Sequence, residues 1–435
     1  MKITIRTILL GGVLVALCGT NADAQSRKER RQARKRAEEL KELRQSQQAA
    51  QMKKPVTTPV KKEPPKPPSL YPSSVVKDRY RIDVLAPLYL SELVQDGKVV
   101  EKGLPDKVIP SLKFYEGMVL ATDTLKKLGY KFDIYVYDVA DELESPATLV
   151  NTDAFKGSDL IMGILSSKDF PLVASYVKRN NINFISALSP SNNSVSNNPY
   201  FTMLQPSLET HCEAIEAAIY RKNGNITPLL FYRTSVPVDN IALNNFITNN
   251  AIEFKKVACD EIPSKDDIQP LLNKTGKNVI LMPILNDKYV DGILVRLAQW
   301  FPDYEFEVWG MPSWDNMASL KKAGVYPNIV IYFTSPFYFD ATTASGQAVA
   351  NAYKRKYVGK ADNMVFRGYE TMFWYAYLLK KYGTIFNEHL WDTGGAPFTR
   401  FDIKPVNGED GKPMYFENKH VYLYRYQGSS YMVEQ

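Results

Sequence analysis

The chain has 435 residues, 45% of them hydrophobic, with a formal net charge of +7 and a pI near 8.9. Residues 27–67 carry fourteen Lys or Arg against five Glu, a local charge of +9, which leaves everything from Pro68 onward at −3. That distribution excludes a nucleic-acid-binding face inferred from the overall basicity, and the length accommodates a leader, a linker and two domains of ordinary size.

Lys2 and Arg6 precede an apolar run, Ile8 to Leu17, and Ala22-Asp23-Ala24 before Gln25 has the small-x-small form of a cleavage site. Residues 1–24 are thus expected to be a signal peptide, since the apolar run is too short to span a bilayer comfortably, and the mature chain is expected to be periplasmic or otherwise exported. Cys18 follows Leu17 rather than a small residue, which favours cleavage after Ala24 over a lipoprotein anchor. Cys212 and Cys259 then remain, too few for a disulfide framework and expected to be buried thiols.

Residues 25–78 form an arm and linker. The stretch 26–51 is rich in helix formers, with Lys35–Glu39 and Glu38–Lys41 spaced to pair, but Ala33, Ala37 and Leu40 make too weak a stripe for a zipper. It reads as a solvated helix or a disordered arm. Residues 53–69, KKPVTTPVKKEPPKPPS, behave as an extended spacer. Residues 27–67 are either a plain linker or a tether to an anionic surface such as cell wall, lipid headgroups or an acidic partner.

From Tyr80 the pattern alternates. Strands are predicted at 81–88, 132–138, 159–165, 183–188 and 200–204, with helices near 112–128, 145–155 and 170–179. A helix at 208–220 leads into a second series, with strands at 227–232, 254–259, 278–282, 305–309 and 328–333 and helices near 240–249, 268–272, 289–300 and 317–323. Helices at 344–357 and 369–382 follow, then strand-like runs at 398–401 and 415–426 with a turn at Asn407-Gly408-Glu409-Asp410-Gly411. Such alternation predicts an α/β protein of two doubly wound, Rossmann-like lobes with a cleft between them.

One segment, 158–190, carries the most chemistry. The apolar run 159–165 contains Gly163 and meets Ser166-Ser167, which suits a buried parallel strand ending at a turn, with Ser167 capping a helix and Pro171 in its first turn. Free N–H groups, a helix dipole and hydroxyls then stand at the carboxyl edge of a sheet, where open α/β sheets bind ligands. Catalytic patterns are missing. His211, His389 and His420 lack metal-ligand spacing, and there is no Gly-x-Ser-x-Gly, Gly-x-Gly-x-x-Gly or Gly-Lys-Ser/Thr loop, so neither catalytic residues, metal nor cofactor is expected. Tyr89, Trp314, Tyr338 and Phe339 fall on loops predicted at the cleft mouth, placed to stack on a ring.

From 79 to 435 the chain resembles the type I periplasmic binding proteins, particularly the leucine/isoleucine/valine-binding branch and its receptor-domain relatives. The resemblance rests on Gly163, Ser166-Ser167, Pro171 and the serine turn after the next strand, with Phe114-Tyr115-Glu116-Gly117, Val308-Trp309-Gly310 and Arg367-Gly368-Tyr369-Glu370 in support. It implies a clamshell with hinge crossings near 205–208, 333–335 and 396–400, giving lobe 1 as 79–206 plus 336–396 and lobe 2 as 207–335 plus 397–435. Carried over residue by residue, the ligand carboxylate site falls on Ser166, Ser167, Leu188 and Ser189, or on Ser191 if the gap is placed differently. The opposing lobe supplies Asn286, Met311 and Trp314 from its loops, and Tyr89 stands at the mouth. Amino-acid binders carry an acid in the second of those loops, whereas this chain has Met311-Pro312-Ser313-Trp314 and Asp315 as the nearest carboxylate, pointing to a larger, less charged ligand or to none. The implied function is an exported solute-binding protein like the substrate-binding components of ABC transporters, closing on a small molecule (amino acid, peptide or wall fragment) with a membrane permease as partner. The alternative is a cell-envelope interaction or regulatory protein using the same fold without transport, tethered by its basic arm.

Overall fold

The structure, a computed structural model, describes residues 3–4, 70–95, 97–99, 103–191, 195, 197–248, 253–322, 324–428 and 430–434. Apart from Ile3–Thr4, which pairs beside Ile134 and Tyr135, the expected leader, arm and spacer up to residue 69 lie outside the described residues. No helix among the described residues is long and apolar enough to cross a membrane.

Two sheets organise the body. In the first, the parallel strands run in the order Phe132–Asp138, Tyr80–Ala86, Leu160–Gly163, Asn183–Ser186 and Phe201–Met203, and the hairpin of Pro413–Asn418 and Ile403–Asn407 completes the far edge. The second runs Lys255–Ala258, Leu229–Tyr232, Lys277–Leu281, Glu305–Gly310 and Ile329–Ser335 in parallel, then Tyr422–Gln427 and Ser430–Glu434 antiparallel. The central strands are buried on both faces, which is why they read as unbroken apolar runs. The second lobe's core extends from Ile215 and Leu230 through Leu281 and Leu294 to Phe333.

The first lobe is closed by two long helices, Ile109–Lys127 and Asn363–Tyr382. They cross at paired glycines: a Cβ on Gly117 would lie 2.0 Å from the Val365 carbonyl oxygen, and one on Gly368 would lie 1.9 Å from that of Phe114. The two sequence patterns around Gly117 and Gly368 are therefore the two sides of one helix crossing.

The C-terminal division differs from the expectation at 396–397. Residues 398–401 form no strand; the hairpin beyond them joins the first sheet, with Phe416 beside Thr202 and Tyr415 packed 5.8 Å from Phe201. The chain passes to the second sheet only between Asn418 and Tyr422, so the strand-like run 415–426 is two strands in two sheets. Asn418 makes the break: its side-chain oxygen accepts from the amides of Asp402 and His420, and its nitrogen donates to the Leu204 carbonyl. Beside it, buried Glu417 accepts from the Ser207 amide (2.9 Å) and the Thr210 hydroxyl (2.7 Å), stitching this crossing to the one that follows Met203. The folded body also begins before residue 79. Ser74 Oγ donates to the Tyr382 carbonyl and Thr384 N donates to the Val75 carbonyl, so the end of the predicted linker is pinned to the last turn of a long helix.

Candidate functional site

Strands Tyr80–Ala86, Leu160–Gly163 and Asn183–Ser186 are adjacent and parallel, so the loops carrying Tyr89, Ser166-Ser167 and Leu188-Ser189 leave the same edge of the first sheet. Gly163 makes the middle loop possible. Its φ is +150° and a Cβ there would lie 2.0 Å from the Leu85 carbonyl oxygen, so only glycine lets the neighbouring strand close on it. The Ile164 amide then donates to Leu85 and the Gly163 carbonyl accepts from Ala187.

The helix after this strand is Phe170–Asn180, with Pro171 at its start, but Ser167 does not cap it. The Ser166 carbonyl accepts from the amides of both Asp169 and Phe170, which winds the chain helically one turn early and leaves Asp169 at the cap position with helical dihedrals. Ser166 and Ser167 are exposed, and the Ser166 hydroxyl donates to the Asp169 carboxylate at 2.5 Å. The amides of Ser167 and Lys168 make no hydrogen bond among the described residues. Donors are thus present, but with a carboxylate beside them, which favours a neutral or zwitterionic group over a simple anion.

The flanking loops are held firmly. Ser189 Oγ donates to the Ser191 carbonyl (2.9 Å) and accepts from the Ser191 amide (3.3 Å), so the two serines close their own turn, and Leu188 is half-buried. On the other side the Asp138 carboxylate accepts from the amides of Leu88 (2.8 Å), Tyr89 (3.1 Å) and Leu90 (2.7 Å). Tyr89 sits in the left-handed region at φ 55°, with the Lys107 ammonium 4.3 Å from its ring centroid. A non-glycine residue held there by three hydrogen bonds around it is a point of stored strain.

In the second lobe, Asn286 caps the helix Asp287–Trp300 through the Tyr289 amide (2.9 Å). Met311 and Trp314 depart from expectation. Both are 0% exposed, and the Trp314 indole N–H donates to the Ile284 carbonyl (2.8 Å). Gly310 leaves the space that the indole fills: a Cβ there would lie 2.1 Å from the Trp314 ring. Trp314 is a core residue, and the exposed carboxylate of this loop is Asp315.

Arg367, in the Arg367-Gly368-Tyr369-Glu370 run, joins the site although nothing in its local sequence marks it as a site residue. It donates to the Ala187 carbonyl (3.1 Å) and to Gln205 Oε1 (2.7 Å), with its guanidinium 4.3 Å from the Phe337 ring centroid. One cation thereby ties the serine loop to two lobe-crossing segments. Desolvation lowers it to about 10, leaving it charged at neutral pH. One turn on, buried Glu370 accepts from the amides of Phe398 (2.8 Å) and Thr399 (2.7 Å), and burial pushes its carboxyl up to about 7.

A further concavity lies elsewhere. A groove of about 1170 Å³ is lined by Arg221, Lys222, Arg400, His420, Tyr422 and Met432 among others; of the residues expected around the cleft it takes in Tyr338 but not the serine turn, Tyr89, Asn286, Met311 or Trp314. No cluster of His, Cys, Asp or Glu among the described residues is arranged to hold a metal ion. Cys212 and Cys259 are buried and unbridged, with burial pushing both thiols up to about 12.

No protein-family model matches the sequence, and no curated protein matches it either. Solved structures do. An ABC transporter substrate-binding protein from Desulfitobacterium hafniense is 18% identical with a TM-score of 0.54, covering 82% of this chain and 100% of that one; it has also been solved in complex with Leu. A putative branched-chain amino acid ABC transporter protein from Rhodospirillum rubrum is 12% identical with a TM-score of 0.57, covering 82% and 99%. The C-domain of LpoA from Haemophilus influenzae, described as a regulator of PBP1A, is 13% identical with a TM-score of 0.53, covering 82% and 100%. At these identities the likeness is one of fold: the body has the two-lobed architecture of the type I periplasmic binding proteins.

Proposed function

We propose that the chain is an exported binding protein whose two lobes close on a small polar ligand, in the manner of the substrate-binding components of ABC transporters. The observation that carries this reading is the convergence of the Tyr89, Ser166-Ser167 and Leu188-Ser189 loops on one sheet edge, with the amides of Ser167 and Lys168 unpartnered among the described residues. Asp169 beside those donors, and the withdrawal of Met311 and Trp314 into the core, favour a neutral or zwitterionic ligand reached from the second lobe by Asn286 and Asp315. Amino acids, short peptides and muropeptide fragments all have that chemistry. A permease is the partner this reading implies, and residues 27–67 are the tether to an anionic envelope surface.

A thermal-shift screen of such compounds on the chain tests it. A ligand present at ~100 times its dissociation constant adds about 2.7 kcal/mol, roughly 3 °C for a body of this size. The double substitution Ser166→Ala and Ser167→Ala is expected to reduce the shift. No shift with any compound favours the second reading, an envelope interaction or regulatory protein. That reading draws support from the burial of Met311 and Trp314, which removes two ligand contacts from the second lobe.

A further inference from the structure

We propose that the free edge of the second lobe, Ser430–Glu434, and the groove beside it form a docking site for an extended acidic segment of a partner protein. The strand is the last of its sheet. It pairs on one side with Tyr422–Gln427, and among the described residues nothing pairs with its other side. Such an edge presents a row of unpaired N–H and C=O groups, and sheets usually protect it with lysine, proline or a covering element. Here the outermost residues are instead apolar and open, with Tyr431 40% and Met432 47% exposed.

Charge selects the occupant. Arg221, Lys222 and Arg400 line the groove, and none of them pairs with a carboxylate among the described residues. The Lys222 ammonium lies 5.1 Å from the Tyr332 ring centroid. Glu434 is the single carboxylate among the groove's lining residues, and it is turned to Arg425 at 3.7 Å. The groove therefore carries net positive charge next to an aromatic and apolar wall of Tyr422, Leu423 and Val433. The chain's own basic segment, with a charge of +9 over residues 27–67, lacks the acidic chemistry this groove selects. A sugar polymer offers no backbone to match the strand, whereas an extended peptide supplies main-chain hydrogen bonds along the edge, acidic side chains to the cations and alternate apolar side chains to the wall. This inference does not depend on the serine-turn ligand site, because neither Tyr89, the serine turn, Asn286 nor Asp315 lines the groove, although Tyr338 does.

The probe is a fluorescein-labelled ten-residue peptide of alternating Glu and Val, titrated into the full chain and read by fluorescence anisotropy and by hydrogen exchange. The expected result is saturable binding that weakens with salt, slowed exchange confined to Ser430–Glu434, and an affinity at least tenfold lower in the double variant Arg221→Glu and Arg400→Glu. Ser166→Ala with Ser167→Ala is expected to leave this binding unchanged while altering any inter-lobe ligand, which separates the two readings. Four outcomes each overturn the proposal: no binding, binding insensitive to charge reversal, equal binding by an alternating Glu and Pro peptide that cannot pair as a strand, or an edge already protected by self-association without peptide.

Discussion

Buried Glu370 and buried His211 pull the pH dependence of stability in opposite directions, and Glu370→Gln separates them. Burial pushes the Glu370 carboxyl from its ordinary 4.5 up to about 7, and burial pushes His211 from 6.5 down to about 4. Between pH 4.5 and 7 the folded state holds a proton on Glu370 that the unfolded chain has released, so this contribution is complete below 4.5 and is lost as pH rises through 7. His211 behaves oppositely: the unfolded chain binds a proton between 6.5 and 4 that the folded state refuses, so its contribution is complete above 6.5 and is lost as pH falls through 4. Each shift is worth about 3 kcal/mol. From pH 4.5 to 6.5 the two nearly cancel. Glutamine keeps an oxygen to accept from the amides of Phe398 and Thr399, so the substitution removes the titration and retains the hydrogen bonds. In urea denaturation from pH 4 to 8, the variant minus native stability is expected to be near zero at pH 4 and to grow to about 3 kcal/mol at pH 8. A difference that is constant across this range, or below about 1 kcal/mol at pH 8, would refute the reasoning.

Gly368→Ala is expected to destabilise by about 2 kcal/mol or more in chemical denaturation, because its Cβ meets the Phe114 carbonyl oxygen at the helix crossing. Gly292→Ala is the internal control, since its Cβ meets only the end of Arg296 at 3.4 Å within the helix Asp287–Trp300, and it is expected to stabilise by up to about 1 kcal/mol. Equal effects at the two positions would show that the crossing is not tight. Asp138→Ala removes the acceptor of four amides, those of Leu88, Tyr89, Leu90 and Ala140, and is expected to cost about 2–3 kcal/mol and to speed hydrogen exchange at Leu88, Tyr89 and Leu90. Unchanged exchange at those amides would mean that the Tyr89 loop is held by its packing.

Much of the architecture was legible because it rests on local signals. Buried parallel strands write themselves as short apolar runs and surface helices as a 3.6-residue period, so most strands and the long helices lie close to where the sequence places them. Short segments fared worse: the helix expected at 145–155 is Pro146–Val150 followed by a 3-10 turn at Asp153–Phe155, because Asn151 and the next cap at Thr152 interrupt it. Ser167 has the composition of a cap, a serine before a proline-led helix, whether or not the carbonyl of the residue before it, Ser166, has already begun the turn. Tryptophan in a polar-looking loop gave no sign that Gly310 opens a slot for it.

The sequence by itself determined the alternation of strand and helix, the glycine at the end of the third strand, the basic segment ahead of the folded body and the lack of catalytic patterns. Tertiary structure alone decided that Gly117 and Gly368 meet, that Trp314 is core, that Pro413–Asn418 belongs to the first sheet and Tyr422–Gln427 to the second, and that Arg367 binds the serine loop. The reason is physical. Strand and helix propensities act over a few residues, whereas sheet membership, helix contact and the burial of one side chain are settled by partners that can lie hundreds of residues away along the chain.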